Sequence, residues 1–288
     1  MKKKIAFFLT LDKLILLFLA GFVLFNMFLF LYPLQKKNIY INKERAEEFI
    51  YSKRNYSVVF TGSGLLGDFT PASIGRENSF NLFFPYNGGC TGVKLIALSN
   101  KIPDTLFVEI NYLFKGFDQQ LIEEVFRPGL YQARFLFPAL QEKHQLLSLL
   151  KENIKSMRQP PVETEEGPAP NYAQTLSQYK KDYQNMPDSL RLQQDLTNLK
   201  CYLDYIASKN CKILFFEMPV DRQLTNSPRI QFEKRTLQRI LTNEKIGWIA
   251  PDTVGTYATA DGIHLLKTSV YQYLAYLNRT VPQLASNR

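Results

Sequence analysis

Histidine, cysteine and tryptophan are scarce in this chain of 288 residues, which has 2 His, 3 Cys and 1 Trp. Two histidines and no CxxC pair do not supply the ligands of a multi-histidine or zinc-ribbon site, so no metal or other cofactor is expected. The odd number of cysteines argues against a disulfide scaffold. With 45% hydrophobic and 21% charged residues, the composition excludes a disordered, collagen-like or coiled-coil chain.

The positive charge is concentrated at the N-terminus. The chain has 35 Lys and Arg against 26 Asp and Glu, a formal net charge of +9. Residues 1–55 hold 10 basic and 4 acidic side chains and so contribute +6, whereas residues 56–288 contribute only +3. This distribution fits contact with membrane lipid headgroups and gives little support to nucleic-acid binding.

A long apolar run follows the first charged residues. Leu14 to Leu31 holds no charge, and the uncharged run extends to Gln35. About twenty residues at roughly 1.5 Å each cross a hydrocarbon core of ~30 Å. A cleaved signal peptide is the alternative, but its apolar region is shorter and ends at a small-x-small site. We therefore predict a transmembrane helix over 14–35, between a basic N-terminus at 1–13 and a juxtamembrane segment at 36–55.

The orientation of this helix follows from its basic flanks. A short basic N-terminus favours an inside location, which places the large C-terminal part on the extracytoplasmic side. Lys36 and Lys37 on the other flank weigh against this assignment. The expectation is a single-pass membrane protein with its N-terminus inside.

The remainder of the chain alternates apolar runs with amphipathic segments. Strands are predicted at Tyr56–Thr61, Phe80–Phe84, Thr105–Ile110 and Lys212–Met218, and helices at Thr91–Leu98 and Ser189–Ser208. Strands that are apolar throughout and alternate with helices are typical of a parallel sheet. We predict an α/β domain over 56–288, with a mostly helical insertion at about 120–185 that contains a proline-rich loop, Arg158–Pro170.

One pair of residues near the C-terminus has the spacing of an acid–base pair. Asp261 precedes His264 by three residues, ahead of a predicted helix at Leu265–Leu277. An aspartate at this spacing can orient an imidazole, which then serves as general base to a hydroxyl nucleophile. A structural histidine is the alternative, because DxxH alone is a weak signal.

Four blocks in order give the chain a resemblance to the SGNH (GDSL-type) hydrolase superfamily. An apolar strand ends in Gly62-Ser63-Gly64, where the family has Gly-Asp-Ser. A second strand is followed by Gly88-Gly89, a third by Asn111, and Asp261 with His264 forms the last block. The chain looks closest to the membrane-anchored branch that serves cell-envelope polymer acylation, as in alginate O-acetylation and teichoic-acid D-alanylation.

The resemblance implies a fold and an activity. It implies a three-layer, flavodoxin-like parallel sheet and an esterase or O-acyltransferase acting on an acyl-ester or polysaccharide substrate. His264 would be the base and Asp261 its orienting residue, while Gly88 (or Gly89) and Asn111 would hold the oxyanion. A multi-pass membrane acyltransferase is the partner it implies. A simple turn at Gly88 and a capping role for Asn111 stay open as alternatives.

The first block departs from the family at the nucleophile. The family nucleophile aligns with Gly64, which has no side chain, and Ser63 occupies the variable middle position. Three interpretations stay open: Ser63 attacks after a one-residue slip, the protein is a non-catalytic subunit that binds a glycan or a membrane partner, or Gly64 stands in place of a natural serine. The sequence thus predicts either ester chemistry or a binding function.

Overall fold

The computed structural model describes residues 2–32, 42–75, 77–144 and 167–281. The end of the predicted transmembrane segment (33–35), the first part of the predicted linker (36–41) and most of the predicted proline-rich loop (158–166) lie outside these residues. The chain forms two compact units. The N-terminal unit consists of Met1–Tyr51 and Glu123–Val162, and the α/β unit consists of Ser52–Ile122 and Glu163–Arg288.

The described helices and strands follow one another in this order. They are α1 (Lys2–Leu31), α2 (Asn42–Tyr51), β1 (Val58–Gly62), α3 (Pro71–Ile74), β2 (Ser79–Phe83), α4 (Gly89–Ser99), β3 (Thr105–Glu109), α5 (Gln119–Val125), α6 (Leu130–Leu136), α7 (Tyr172–Asp182), α8 (Ser189–Ser208), β4 (Lys212–Phe216), α9 (Arg222–Thr225), α10 (Pro228–Ile240), β5 (Ile246–Trp248) and α11 (Lys267–Thr280). Short 3₁₀ turns lie at Gly64–Leu66, Leu113–Lys115, Pro138–Leu140 and Glu142–His144.

The α/β unit is built on one five-stranded sheet. The strands pair in the order β2-β1-β3-β4-β5, and every pairing is parallel. This order is one of the two common orders of doubly wound α/β sheets, whose ligands bind beyond the carboxyl ends of the strands. The predicted α/β class and parallel sheet are confirmed. The fifth strand, Ile246–Trp248, was not predicted.

Alternate residues of the central strands pack on opposite sides of the sheet. On one side, Phe60 stacks on Phe107 at 4.5 Å between ring centroids and meets Phe216 edge-on at 6.0 Å. On the other side, Gly92 of α4 approaches Thr61 so closely that a Cβ at position 92 would lie 1.8 Å from the threonine hydroxyl. The sheet core is therefore aromatic on one side and tightly packed against a helix on the other.

Helix α8 has the bounds predicted from its periodicity. The Asp188 side chain caps it by accepting hydrogen bonds from Leu190 N (2.9 Å) and Arg191 N (3.2 Å). Its apolar positions share one face and are all buried: Leu192, Leu196, Leu199, Leu203 and Ile206. Burial of this face accounts for most of the stability of such a helix.

The N-terminal unit begins with a long apolar helix. Residues Lys13–Leu31 of α1 have a mean hydropathy of 2.7, and this stretch is long and apolar enough to cross a membrane. Helix α2 belongs to the same unit and carries Glu47, which pairs with Arg134 at 3.3 Å (Oε1 to Nε). Both side chains are buried, so the pair ties α2 to α6.

Candidate active site

The site predicted from the strand ends lies around an open cleft of about 410 Å³ in the α/β unit. Ser63 and Gly64 follow β1, Pro85 follows β2 and Lys115 follows β3, and all four line this cleft. His264 lines it as well, from the loop that precedes α11. The cleft therefore occupies the position where doubly wound sheets bind their ligands.

His264 and Asp261 form the predicted pair. The ring Nδ1 of His264 lies 2.8 Å from Oδ2 of Asp261, and the backbone N–H groups of His264 and Ile263 donate to Oδ1 at 2.9 and 3.0 Å. Burial opposes ionisation of Asp261, but these hydrogen bonds outweigh it and lower its pKa to about 2. Asp261 is therefore a carboxylate at neutral pH, and it fixes the orientation of the His264 imidazole. The His264 side chain is 49% exposed.

Backbone hydrogen bonds fix the loop that carries Asp261 and His264. Gly262 has φ of +105°, a conformation that L side chains rarely adopt. Its carbonyl accepts a hydrogen bond of 2.8 Å from the backbone N–H of Asp221, which follows β4. The backbone N–H of Ala260 donates to the His264 carbonyl at 2.7 Å. A glycine at 262 thus allows Asp261 and His264 to project from one short, closed loop.

The Ser63 hydroxyl is buried at the wall of the cleft and already accepts a hydrogen bond. Ser63 is 2% exposed, and its Oγ accepts a hydrogen bond of 3.3 Å from Leu65 N at the start of a 3₁₀ turn. Its backbone N–H donates to Oε2 of Glu109 at 2.7 Å. Among the described residues, the His264 ring hydrogen-bonds only to Asp261. Within the described residues, the hydrogen-bond partner of the serine hydroxyl is thus the Leu65 N–H rather than the histidine.

Two glycines shape the turn after β1. A Cβ at Gly62 would lie 2.6 Å from the Glu109 Cβ, so glycine allows the strand end to approach the buried carboxyl. A Cβ at Gly64 would lie 3.3 Å from Pro85 Cα, a contact that a shift of a few tenths of an ångström relieves. Position 64 therefore has room for a small side chain at the cleft wall, and in this chain it has none.

The two predicted oxyanion residues do not line this cleft. Gly88 precedes α4 and packs on the backbone of Tyr112, where a Cβ would lie 2.1 Å from the carbonyl oxygen. The Asn111 amide joins the ends of β3 and β4: Nδ2 donates to Met218 O at 2.9 Å, and Oδ1 accepts from Met218 N at 2.8 Å. Both residues hold the strand ends together, and Asn111 borders a separate small cavity beside Glu233.

The cleft is also lined by two cationic side chains that sequence reasoning did not identify. Lys115 Nζ lies 4.7 Å from the centroid of the Tyr112 ring. The Arg229 guanidinium lies 4.0 Å from the Tyr183 ring and 4.5 Å from the Phe114 ring. Burial lowers the pKa of Lys115; the Glu109 carboxyl raises it, and the Arg229 charge lowers it further. The cleft thus combines two like charges with aromatic rings.

The acidic neighbour of Arg229 does little to neutralise it. Glu233 Oε1 lies 3.6 Å from Arg229 Nε, but burial raises the pKa of Glu233 to about 8 despite the arginine. A carboxyl with this pKa is mostly protonated at neutral pH. Arg229 Nη1 donates to the carbonyl of Asp182 at 3.2 Å, a neutral acceptor. The positive charge of Arg229 therefore persists at the cleft wall.

The sequence carried a signal for only one of the residues found here. Glu109 is an acidic residue at the end of an otherwise apolar strand, and this pattern indicates a specific role for its carboxyl. Lys115 and Arg229 lie 114 residues apart in the numbering and meet only because a 3₁₀ turn and α10 pack together. Across the described ranges, no group of three or more His, Cys, Asp or Glu side chains is arranged to hold a metal ion.

Comparison with known proteins leaves the family open. No protein-family model matches the chain, and no curated protein matches it. The SGNH resemblance therefore depends on the four sequence blocks alone.

Proposed function

We propose that this chain is a membrane-anchored, SGNH-like binding subunit that holds an anionic segment of a cell-envelope polysaccharide without serine catalysis. One observation carries the proposal: the only hydroxyl of the Gly62-Ser63-Gly64 turn is buried, and it accepts a hydrogen bond from Leu65 N. The family's nucleophile position is Gly64, which cannot attack an ester. A cleft that keeps its shape without its nucleophile is suited to binding.

The charges and rings of the cleft support an anionic glycan as ligand. Arg229 and Lys115 repel one another, and a carboxylate or phosphate between them would relieve that repulsion. The rings of Tyr112 and Phe114 line the same cleft, with Lys115 and Arg229 lying over them. Aromatic side chains are common contacts for sugar rings, so one ligand could meet both the rings and the charges. An acidic polysaccharide has both the negative charge and the sugar rings that such a cleft would bind.

The finer parts of this proposal follow from the sequence. The fold is of the three-layer, flavodoxin-like SGNH type, the α1 N-terminus faces the cytoplasm, and the α/β unit lies on the extracytoplasmic side. A multi-pass acyltransferase is the partner proposed for the membrane. These assignments would bring the cleft to the compartment in which envelope polymers are modified.

Binding of full-length protein in nanodiscs tests the proposal. Oligosaccharides of a polyuronate and of a polyol phosphate are titrated by calorimetry beside a neutral dextran of equal length. We expect an acidic chain to bind and dextran not to bind. Lys115→Met should weaken binding about 10- to 150-fold, because a charge-assisted hydrogen bond contributes ~1.5–3 kcal/mol.

Lys209→Met is the matched control for this variant. Lys209 also lies over a tyrosine ring, 5.3 Å from Tyr205, but is exposed and outside the cleft. Its substitution should leave the affinity unchanged. Equal binding of dextran and acidic chains, or equal loss in both variants, would contradict an anion site at Lys115.

Ester chemistry is the second candidate, and the formed His264–Asp261 pair favours it. In that case the serine oxygen attacks the ester carbonyl, the serine proton passes to His264 Nε2, and the alkoxide leaves with that proton. The Ser63 hydroxyl would have to leave the Leu65 N–H and take His264 as its hydrogen-bond partner. Gly88 and Asn111 would have to present donors to the cleft.

Hydrolysis of an activated acetyl ester separates the two candidates. The chain as it stands should be inactive, and Gly64→Ser should gain hydrolysis that His264→Ala abolishes. Ser63→Ala in the Gly64→Ser background serves as the control and should keep the gain. Hydrolysis by the unmodified chain that Ser63→Ala removes would favour ester chemistry at Ser63 over the binding function.

A further inference from the structure

A short segment of the N-terminal unit contacts α1 well inside its apolar length. The backbone N–H of Ala139 donates to Oδ1 of Asn26 at 3.0 Å, and the rings of Phe137 and Phe22 lie 5.5 Å apart. Asn26 precedes Leu31 by five residues, so this contact lies about 7.5 Å from the helix end. The segment is therefore level with side chains that a membrane would surround.

The buried face of α1 is narrow and matches this contact. Among residues 13–32, only Phe22, Asn26 and Leu29 are not exposed. Their spacing of four and three residues places them on one face of a helix. The Asn26 amide also donates to the carbonyl of Phe22 at 2.8 Å, so its polar groups are satisfied. The other faces of residues 14–31 are apolar and exposed, as lipid contact requires.

The segment itself presents apolar side chains outward. Phe135, Leu136 and Phe137 are exposed, and Leu136 is 66% exposed. Leu130 at the start of α6 is exposed as well. Transfer of such side chains from water to an apolar environment is favourable. Adjacent exposed apolar residues of this size mark an interaction surface rather than a solvated one.

The backbone of the segment meets the requirement for entry into lipid. From residue 137 to residue 141, every backbone N–H has an acceptor inside the N-terminal unit. Residues 137, 140 and 141 donate to carbonyls of the same segment at 2.7–2.9 Å, Ala139 donates to Asn26, and Pro138 has no N–H. Irregular backbone enters a bilayer only where its donors are satisfied internally, which is the case here.

Basic side chains border the apolar surface on one side. Arg127 is exposed and lines an open cavity of about 540 Å³ together with Lys43 and Arg134. Lys43 pairs with Glu142 at 3.1 Å and Arg134 pairs with Glu47. Among the described residues, Arg127 forms no such ion pair. An arginine at the edge of an apolar surface suits a lipid phosphate.

We propose that the segment Leu130–Leu140 enters the lipid bilayer beside α1. Phe135, Leu136 and Phe137 contact acyl chains, and Arg127 meets the headgroup phosphates. The inference depends on α1 crossing a membrane and is independent of the ligand of the cleft. It gives the chain a second membrane contact that fixes α1 in depth.

Fluorescence quenching in nanodiscs tests this insertion with the full chain. Trp248→Phe removes the single native tryptophan, and Leu136→Trp introduces a probe at the most exposed apolar position of the segment. In lipids brominated along the acyl chain, this probe should lose most of its fluorescence and emit at short wavelength. Phe137→Trp, an aromatic-for-aromatic change, should behave in the same way.

Leu190→Trp is the matched control, because Leu190 is 73% exposed and belongs to the α/β unit. It should emit at long wavelength without quenching. If the Leu136→Trp and Phe137→Trp probes are quenched no more than this control, the segment lies outside the lipid. That result would overturn the inference and would indicate an apolar surface for a protein partner instead.

Discussion

Glu109 Oε2 accepts a hydrogen bond of 2.7 Å from the backbone N–H of Ser63, and it does so from a fully buried position. Its other oxygen, Oε1, has no hydrogen-bond partner within the described parts of the chain. Burial raises the pKa of Glu109, and the hydrogen bond from the Ser63 backbone N–H acts against that rise. The first block is thus organised around a carboxyl that the sequence blocks do not include.

Removal of this carboxyl should destabilise the turn, whereas its conversion to an amide should not. Glu109→Ala leaves the Ser63 N–H unpaired and opens a cavity, which together cost about 2–5 kcal/mol. Glu109→Gln keeps an acceptor and removes a charge that is costly to bury, so it should be at least as stable as the parent at pH 8. Denaturant unfolding followed by Trp248 fluorescence measures both, because Trp248 stacks on Phe215 in the sheet. Equal stability of the alanine variant would contradict a role for Glu109 in holding the turn.

The contact between Gly88 and Tyr112 should make position 88 intolerant of any side chain. A Cβ there would lie 2.1 Å from a backbone carbonyl, which cannot rotate away as a side chain can. Gly88→Ala should therefore cost about 1–3 kcal/mol in the same unfolding assay. Gly167→Ala is the control, since a Cβ at Gly167 meets nothing within 4 Å. Equal effects of the two changes would show that the close approach is relaxed in solution.

The elements that could be predicted from the sequence are those whose own residues determine them. Helix α8 was predicted to the residue because five buried apolar positions repeat at helical spacing behind an Asp188 cap. Strands β1 to β4 were predicted within two residues because they are continuous apolar runs. Strand β5 has three residues with a central Gly247, which is too short for any periodicity to show.

Site residues could be predicted where their place at a strand end brings them to the cleft. They could not be predicted where contacts between distant parts of the chain determine their position. Ser63, Gly64 and His264 line one cleft because strand ends and the loop before α11 meet at one sheet edge. Asn111 follows a strand too, but its amide bonds to Met218, a contact that no sequence pattern encodes. The contact of the segment around Ala139 with α1 was missed for the same reason, although Asn26 is the polar exception in an apolar run.

Stability of the α/β unit should fall with rising pH because of Glu233. Its folded pKa of about 8 lies above the ordinary value of 4.5, so the folded state favours the protonated form. The stability is fully present below about pH 4.5 and is lost as the pH rises through 8. Glu233→Gln should flatten this slope and exceed the parent in stability at pH 9 by a few kcal/mol.

Unfolding midpoints at pH 5, 7 and 9 check this prediction. Glu244→Gln is the control, because Glu244 is exposed and follows α10 on the surface. It should leave the slope unchanged. A parent protein whose stability rises between pH 5 and 9 would contradict the expected sign, since the pKa shift of Asp261 acts only below pH 4.

The Asn111 amide should contribute more to the stability of the fold than to the ester hydrolysis that Gly64→Ser is expected to gain. Asn111→Leu removes both bonds to the Met218 backbone and leaves a buried N–H and carbonyl unpaired, which should cost about 2–4 kcal/mol. Asn185→Leu on the exposed surface should change little. In the Gly64→Ser background, Asn111→Leu should reduce ester hydrolysis only in proportion to the folded fraction. A loss of about 100-fold in kcat from protein that is still folded would instead assign Asn111 to the oxyanion site, because removal of one oxyanion donor typically costs that much.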